Sequence, residues 1–337
     1  MLNKIPTSVI TGFLGSGKTT LLKRILKNNS FKNTAVIINE YGKVGLDHLL
    51  IEHCGDNVYL MENGCLCCVV QNDLVNTLTS LILKRNRGEV PAFDRLIIET
   101  SGLSEPSAII NSLYLDVSIN QHYALCGIVT VIDNVEGRNV IDKFAEARKQ
   151  LIYADVVIQT KLDLIKNPSD SIEPLVRKYT IAKIISNTVT DTILIDTLFA
   201  TPYHPYKQHS VESTVSLHAS GEIQSYSFLY DNAISWNALS KCLEAILSLK
   251  GQDIYRIKGI VNIVNEDQPY AIHGTQHVIY PPEPLALSPG FPAQSSKLVF
   301  IVKNTPKALL KAMLDLAFQS DAANQSNYEV TTARNNA

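Results

Sequence analysis

The run Gly12-Phe-Leu-Gly-Ser-Gly17-Lys18-Thr19 sets three glycines ahead of a lysine and a hydroxyl, in the spacing G-x4-G-K-[ST]. Glycines at 12, 15 and 17 let backbone amides turn inward and approach an anion closely, and the helix opening at Thr20-Leu21-Leu22 adds the positive end of its dipole. Such a loop cradles nucleotide phosphates: Lys18 meets the β- and γ-phosphates and Thr19 offers its hydroxyl to magnesium. A second element, Leu96-Ile-Ile-Glu99-Thr-Ser-Gly102, ends an apolar run in a carboxylate and carries a glycine three residues on. Downstream of a phosphate loop, Glu99 serves the metal, commonly through water, and the Gly102 amide is placed to meet the γ-phosphate. An acid at a strand end is commonplace by itself; the loop upstream gives it meaning.

Thr160-Lys161-Leu162-Asp163 closes another buried run, 156–160. A carboxylate at Asp163 accepts hydrogen bonds from N1 and the 2-amino group of guanine, which adenine cannot offer, and the Lys161 stem covers the base plane. Buried polar groups left unpaired by the wrong base discriminate strongly. The usual form of this element has Asn where Thr160 stands, and a solvated loop acid is the competing reading. Ser186-Asn187, after the apolar run 181–185, is a weaker candidate for base contact.

Gly64-Cys65-Leu66-Cys67-Cys68 is the third constellation. Thiolates are soft ligands that favour zinc, copper(I) or similar ions over magnesium. In an extended segment Cys65 and Cys67 point the same way, while Cys68 faces the other side. Two or three thiolates leave a tetrahedral ion short of ligands, so the site stays open or recruits another group. Asn39-Glu40-Tyr41-Gly42 follows the second strand, where a nucleotide-sensing loop belongs, and Glu40 is placed to supply that ligand. Buried apolar thiols are the competing reading. For Cys54, Cys126 and Cys242, which are isolated, the core reading prevails. His204, His209 and His218 fit a polar linker better than a metal site. His273 and His277 fall in a strand pattern, where four residues span about 13 Å, too far to share an ion. Trp236 and the tyrosines at 226, 230, 255 and 270 read as core or surface rather than a stacking platform.

These candidates need elements to position them. Short apolar runs at 8–11, 35–39, 96–99, 128–133 and 156–160 alternate with helical spacing at 19–27, 73–84 and 140–153. Strand–helix alternation implies an α/β fold, a parallel sheet with helices on both faces and its site at the carboxyl ends of the strands. The predicted domains are 1–200, a linker at 201–222 rich in proline, histidine and serine, a smaller α+β domain at 223–320, and a flexible polar tail at 321–337. In the second domain, strands are expected at 223–229, 254–264, 270–280 and 297–303, helices at 235–249 and 305–318, and a loop at 281–292. The 337 residues carry 45% hydrophobic and 18% charged side chains, enough for real cores. A net charge of −2 argues against non-specific nucleic-acid or anionic-membrane binding. No apolar run is long enough to span a bilayer, and the first residues lack a signal-peptide layout. Six cysteines in a chain this long, three of them crowded into four positions, suit a reducing cytoplasm rather than a disulfide scaffold.

Taken together, GFLGSGKTTLL (12–22), NEYGKVGLD (39–47), ENGCLCC (62–68), IIETSGLSEP (97–106) and TKLD (160–163) resemble the CobW-type P-loop GTPases, in the same order along the chain. YRIKGIVNIVNE and GTQHVIYPP resemble that family's C-terminal domain. The resemblance implies a GTP-hydrolysing metallochaperone or activator carrying zinc, cobalt or a similar ion to a client metalloprotein. Position by position, it implies that Gly12, Gly15, Ser16, Gly17, Lys18, Thr19 and Thr20 bind phosphates and magnesium, with Glu99 and Gly102 around the γ-phosphate. Lys161 and Asp163 would read guanine, and Cys65, Cys67 and Cys68 with Glu40 would hold the ion. One departure stands out: Lys43 occupies a place where the family commonly has an acid. The expected mechanism has GTP and magnesium ordering the Glu40 loop, which hydrolysis releases. With no glutamine or arginine finger recognised, hydrolysis is expected to be slow and speeded by a partner or a homodimer. The alternatives are an ATP-dependent small-molecule kinase with structural cysteines, and a nucleotide-gated zinc sensor that delivers nothing.

Overall fold

The structure is a computed structural model that describes residues 4–28, 31–38, 60–62, 71–165, 171–188, 198–199, 223–285 and 295–319. The chain divides into two compact units, Met1–His209 and Ser210–Ala337. The proposed linker and tail lie outside the described residues, as do Glu40, Lys43, Cys54 and the three clustered cysteines.

The first unit runs β1 (Ile5–Thr11), α1 (Lys18–Leu26), β2 (Thr34–Ile38), β3 (Leu60–Glu62), α2 (Gln71–Asn86), β4 (Arg95–Glu99), α3 (Pro106–Leu115), α4 (Val117–His122), β5 (Tyr123–Asp133), α5 (Gly137–Lys143), α6 (Ala145–Tyr153), β6 (Val156–Thr160), α7 (Glu173–Val176) and β7 (Lys183–Ser186). Its seven strands form one parallel sheet in the order β3-β2-β4-β1-β5-β6-β7. Successive side chains on a strand face opposite ways, so a strand apolar throughout needs cover on both sides. Val131 and Ile158 join the cluster built on Leu21, Leu22 and Ile25 of α1. Their neighbours Ile132 and Val157 join the cluster built on Ile141 and Leu151. The α/β architecture and its two-sided sheet are as expected from the pattern of the sequence.

The second unit runs β8 (Ile223–Tyr230), α8 (Trp236–Lys250), β9 (Ile254–Val261), β10 (Tyr270–Thr275), β11 (Val278–Ile279), β12 (Glu283–Pro284), β13 (Ser296–Lys303) and α9 over 307–319. The strands form an antiparallel sheet, β11-β10-β9-β13-β8, with β12 paired to β10. The Ser235 hydroxyl caps α8 by accepting from the Ala238 amide at 3.2 Å. Leu239, Leu243, Ile246 and Leu247 then lie on one stripe of α8 and pack with Leu310 and Leu314 against Leu298, Phe300 and Val302. Cys242 belongs to this region, as the core reading expects, with its thiol 3.4 Å from the Met313 carbonyl. Cys126, on β5, is half-buried, as Cys242 also is.

Two expected elements are broken. The helix expected over 140–153 is interrupted at Phe144, whose backbone is extended (φ −113°, ψ 122°). Its ring packs 4.5 Å from that of Phe13, and Arg148 caps the freed end of α5 by donating to the Ile141 carbonyl at 2.6 Å. The strand expected over 270–280 is a hairpin, because Gln276 adopts a left-handed φ of 49° between β10 and β11. His277 therefore sits in a turn, its ring over Gly251, where a Cβ would come 2.2 Å from Nδ1. The strand-spacing reason for separating His273 from His277 does not hold for this geometry.

Phe300→Ala is expected to lower unfolding free energy by about 3–5 kcal/mol, since Phe300 is fully buried edge-on to Phe228, measured by urea denaturation. Burial pushes the Cys242 thiol up to about 11, so the native protein should resist iodoacetamide at that position at pH 7–8. Labelling should rise only as the pH nears that value or the second unit unfolds, read by peptide mass spectrometry.

Candidate functional site

The phosphate loop leaves β1, the strand at the middle of the sheet, flanked by β4 and β5. Gly12 turns the chain at φ 145°; a Cβ there would lie 2.2 Å from the Val131 carbonyl oxygen. Gly17, at φ 98°, is the residue before α1 and aims the first free amides of that helix into the loop. The Lys18 ammonium lies across the loop, donating to the carbonyls of Gly12 at 2.8 Å and Phe13 at 3.1 Å. It thus stands where an arriving phosphate would compete with neutral carbonyls for a cation.

The end of β4 is stitched to the end of β1. The Thr100 amide donates to the Ile10 carbonyl at 2.9 Å, and the Thr100 hydroxyl lies 2.9 Å from that of Thr11. This places Glu99, 1% exposed, with Oε1 accepting from the Thr19 hydroxyl at 3.0 Å. The two predicted magnesium ligands are therefore brought together, a donor set of hydroxyl and carboxylate that suits a hard cation. Gly102 lies against the phosphate loop: a Cβ on it would be 2.6 Å from the Leu14 backbone nitrogen. Only glycine permits that approach, which sets the Gly102 loop at the edge of the phosphate cradle.

Thr160 reaches the same loop from β6. Its hydroxyl donates to the Ser16 carbonyl at 2.7 Å, so the threonine standing where Asn is usual still ties this element to the phosphate loop. Its carbonyl accepts from the amide and side chain of Asn134 at 3.1 and 3.0 Å. Lys161 follows in a left-handed conformation (φ 56°), and a single 3-10 turn, Leu162–Leu164, leaves Asp163 exposed at the carboxyl edge of the sheet. The Lys161 ammonium pairs with Asp133 at 2.6 Å, and the other Asp133 oxygen accepts from the Val135 amide at 2.7 Å. Asn187 is fixed beside this turn by its amide, which donates to the Gln159 carbonyl at 2.9 Å, and by Arg24 of α1, which donates to its carbonyl.

Gly12, Gly15, Ser16, Gly17, Lys18, Thr19, Thr20, Glu99, Gly102, Lys161 and Asp163 thus gather at one edge of the sheet. Glu40, Cys65, Cys67 and Cys68 are outside the described residues, but the strands that lead to them are not. Ile38, which ends β2, is in register with Glu62, which ends β3, and with Glu99 on the other side. The chain therefore sets out toward Glu40 from the strand beside Glu99 and toward Cys65 from the next strand over. Sequence reasoning missed Asp133, which had a usable signal, since it ends a buried run as Glu99 does.

The fold and this edge define a P-loop nucleotide-binding protein. The nucleotide-binding domain model of the CobW/HypB/UreG family matches residues 6–185, and the model of the cobalamin synthesis protein CobW C-terminal domain matches residues 223–317. The chain belongs to the CobW family. It is 30% identical over 281 residues to the zinc chaperone YjiA of Escherichia coli strain K12, covering 82% of this chain and 88% of that protein. It is 35% identical over 196 residues to the zinc-regulated GTPase metalloprotein activator 1 of Schizosaccharomyces pombe, covering 56% of this chain and 46% of that one. The solved structure of Zn(II)-bound YjiA GTPase from E. coli superposes with a TM-score of 0.67 at 25% identity, over 93% of this chain and 99% of that one.

Removing the Thr160 hydroxyl should leave the Ser16 carbonyl unpaired. Thr160→Val is expected to cost about 1–3 kcal/mol in urea denaturation, with Thr160→Ser near wild type.

Proposed function

We propose that this protein hydrolyses GTP and uses the nucleotide state to control a zinc or similar ion, held near the Cys65–Cys68 cluster and passed to a client metalloprotein. The observation that carries the nucleotide half is the Thr19–Glu99 pair at 3.0 Å under the phosphate loop, beside Gly102 and the Lys18 ammonium. Lys18 draws the β- and γ-phosphates, and the loop amides wrap them. Thr19 and Glu99 would hold magnesium, which when bound neutralises charge between those phosphates. Asp163, exposed past β6 and preceded by the Asp133-paired Lys161, reads guanine. The bacterial and yeast relatives named for zinc and for GTPase activity support the same pairing of ligands, and no observation favours the kinase alternative.

The ion is cargo. Cys65, Cys67 and Cys68 are its soft ligands, with Glu40 as a nucleotide-dependent fourth. The support is topological: β2 ends in register with Glu99 and β3 ends in register with β2, so the chain leaves toward Glu40 one strand from Glu99 and toward the cysteines two strands from it. A γ-phosphate that orders the first alters the ligand set of the second, and by linkage the ion alters nucleotide affinity. The second unit recognises the client. Among the described residues no helix is long and apolar enough to cross a membrane, and a reducing cytoplasm suits the free thiols.

Zinc affinity measured by competition with a chromophoric chelator should differ about 5–150-fold between the complexes with a non-hydrolysable GTP analogue and with GDP. Equal affinities would refute the coupling. Serine at all three cluster positions should abolish the nucleotide-dependent component while leaving GDP binding intact.

A further inference from the structure

The loop that carries Gly102 is held by a helix to which the nucleotide chemistry assigns no role. Gln150 of α6 is 1% exposed, and its side-chain amide donates to the Gly102 carbonyl at 3.0 Å and to the Ser104 carbonyl at 3.1 Å. A carboxamide has two N–H donors, so both serve this loop. Gln150 is itself anchored, because its backbone carbonyl accepts the Thr130 hydroxyl of β5 at 2.7 Å. Its neighbour Lys149 adds an outer tether, an ion pair of 2.7 Å to Glu105 at the start of α3. Ahead of α6, the Phe144 ring rests on Phe13 of the phosphate loop. The short stretch 144–150 therefore touches both the phosphate loop and the Gly102 loop.

On one side the loop is not fully covered by packing. A cleft of about 270 Å³ opens beside it, lined among others by Leu103, Glu105, Ala145 and Lys149. On the opposite side Gly102 packs so close to Leu14 that a Cβ would lie 2.6 Å from its backbone nitrogen. The open side of the loop is therefore the cleft, and the Gln150 hydrogen bonds, with the Lys149–Glu105 pair, oppose a shift that way.

We propose that Gln150 is a positioning residue for the γ-phosphate, fixing the Gly102 amide at its working distance from the phosphate loop, with Lys149–Glu105 as a weaker second tether. The proposal rests on the nucleotide reading above. Phosphates nearer the ribose and the base are bound by other elements, so loosening this loop penalises a triphosphate and spares a diphosphate. A merely structural residue would affect both alike.

The test compares fluorescent GDP with a fluorescent non-hydrolysable GTP analogue on full-length protein, with single-turnover GTP hydrolysis alongside. In Gln150→Met, which keeps the side chain's length without its donors, GDP affinity should stay within about twofold of wild type while analogue affinity and the hydrolysis rate each fall about tenfold. An unchanged analogue-to-GDP ratio, or equal loss of both ligands, overturns the proposal. Should Gln150→Met fail to fold, Lys149→Met decides: the outer tether is partly exposed, so a ratio lowered about two- to threefold supports the latch and an unmoved ratio rejects it. Running ADP and an ATP analogue in parallel separates the two claims. Wild-type protein that prefers adenine sinks the GTP reading, yet the triphosphate-to-diphosphate ratio of the variants still judges Gln150. If wild type binds neither base, both claims fall.

Discussion

A cradle of backbone amides presents little but main chain to its anion, so its shape has to be imposed by whatever surrounds it. In this protein the frame is the carboxyl edge of a parallel sheet, where β1, β4 and β6 end close together and are cross-linked by short polar contacts. Thr100 ties β4 to Thr11 of β1, Thr19 reaches Glu99, and Thr160 reaches back to Ser16. Each such bond is worth only about 1 kcal/mol net in a typical protein, but an unmade partner in a buried site costs more than that. Satisfying all three at once restricts the loop to a narrow range of positions. The glycines then decide which position is reachable, because at Gly12 and Gly102 any side chain would meet backbone.

The same edge explains how two chemically different ligands could answer to one another. A parallel sheet with covered faces exposes its strand ends, and every connection on that side begins there. Strands β3, β2 and β4 lie in sequence across the sheet, with Glu62, Ile38 and Glu99 abreast. Adjacent strands are roughly 5 Å apart, so segments leaving from them begin within a few residues' reach of a γ-phosphate bound near Glu99. In the proposed function, the hard cation would be held by hydroxyl and carboxylate and the soft one mainly by thiolates. The second unit follows a different logic: its antiparallel sheet packs α8 and α9 on one face, and its core is built from its own strands and helices.

Much of the first unit could be read directly from the chain, because its signals are local. A buried strand leading into closely spaced glycines and then Lys-Thr requires only a few neighbouring residues to make sense, and so does an apolar run ending at Glu99. Buried strands apolar on both faces announced a two-sided sheet for the same reason. The second unit was legible more coarsely. A helix stripe at Leu239, Leu243 and Ile246 was plain, but the hairpin at Gln276 lay inside a stretch, 270–280, whose apolar ends suit one long strand although Gly274-Thr-Gln-His277 interrupts them.

What lay beyond the sequence was every feature that joins residues far apart along the chain. Phe144 breaks a run with good helical spacing since its ring finds Phe13, about 130 residues earlier. Asp133 meets Lys161 and Gln150 meets Gly102 across separations of 28 and 48 residues, with no pattern in either segment to announce the partner. The amino-acid sequence by itself determined the phosphate loop, the carboxylate that ends β4, the turn after β6 that carries Asp163 and the alternation that builds the sheet, because these depend on side-chain period and on backbone freedom within a few residues. Only the tertiary structure decided how far Gly102 stands from that loop and what keeps it there, because such distances are set by packing and hydrogen bonds between elements that the fold, not the local chain, brings together.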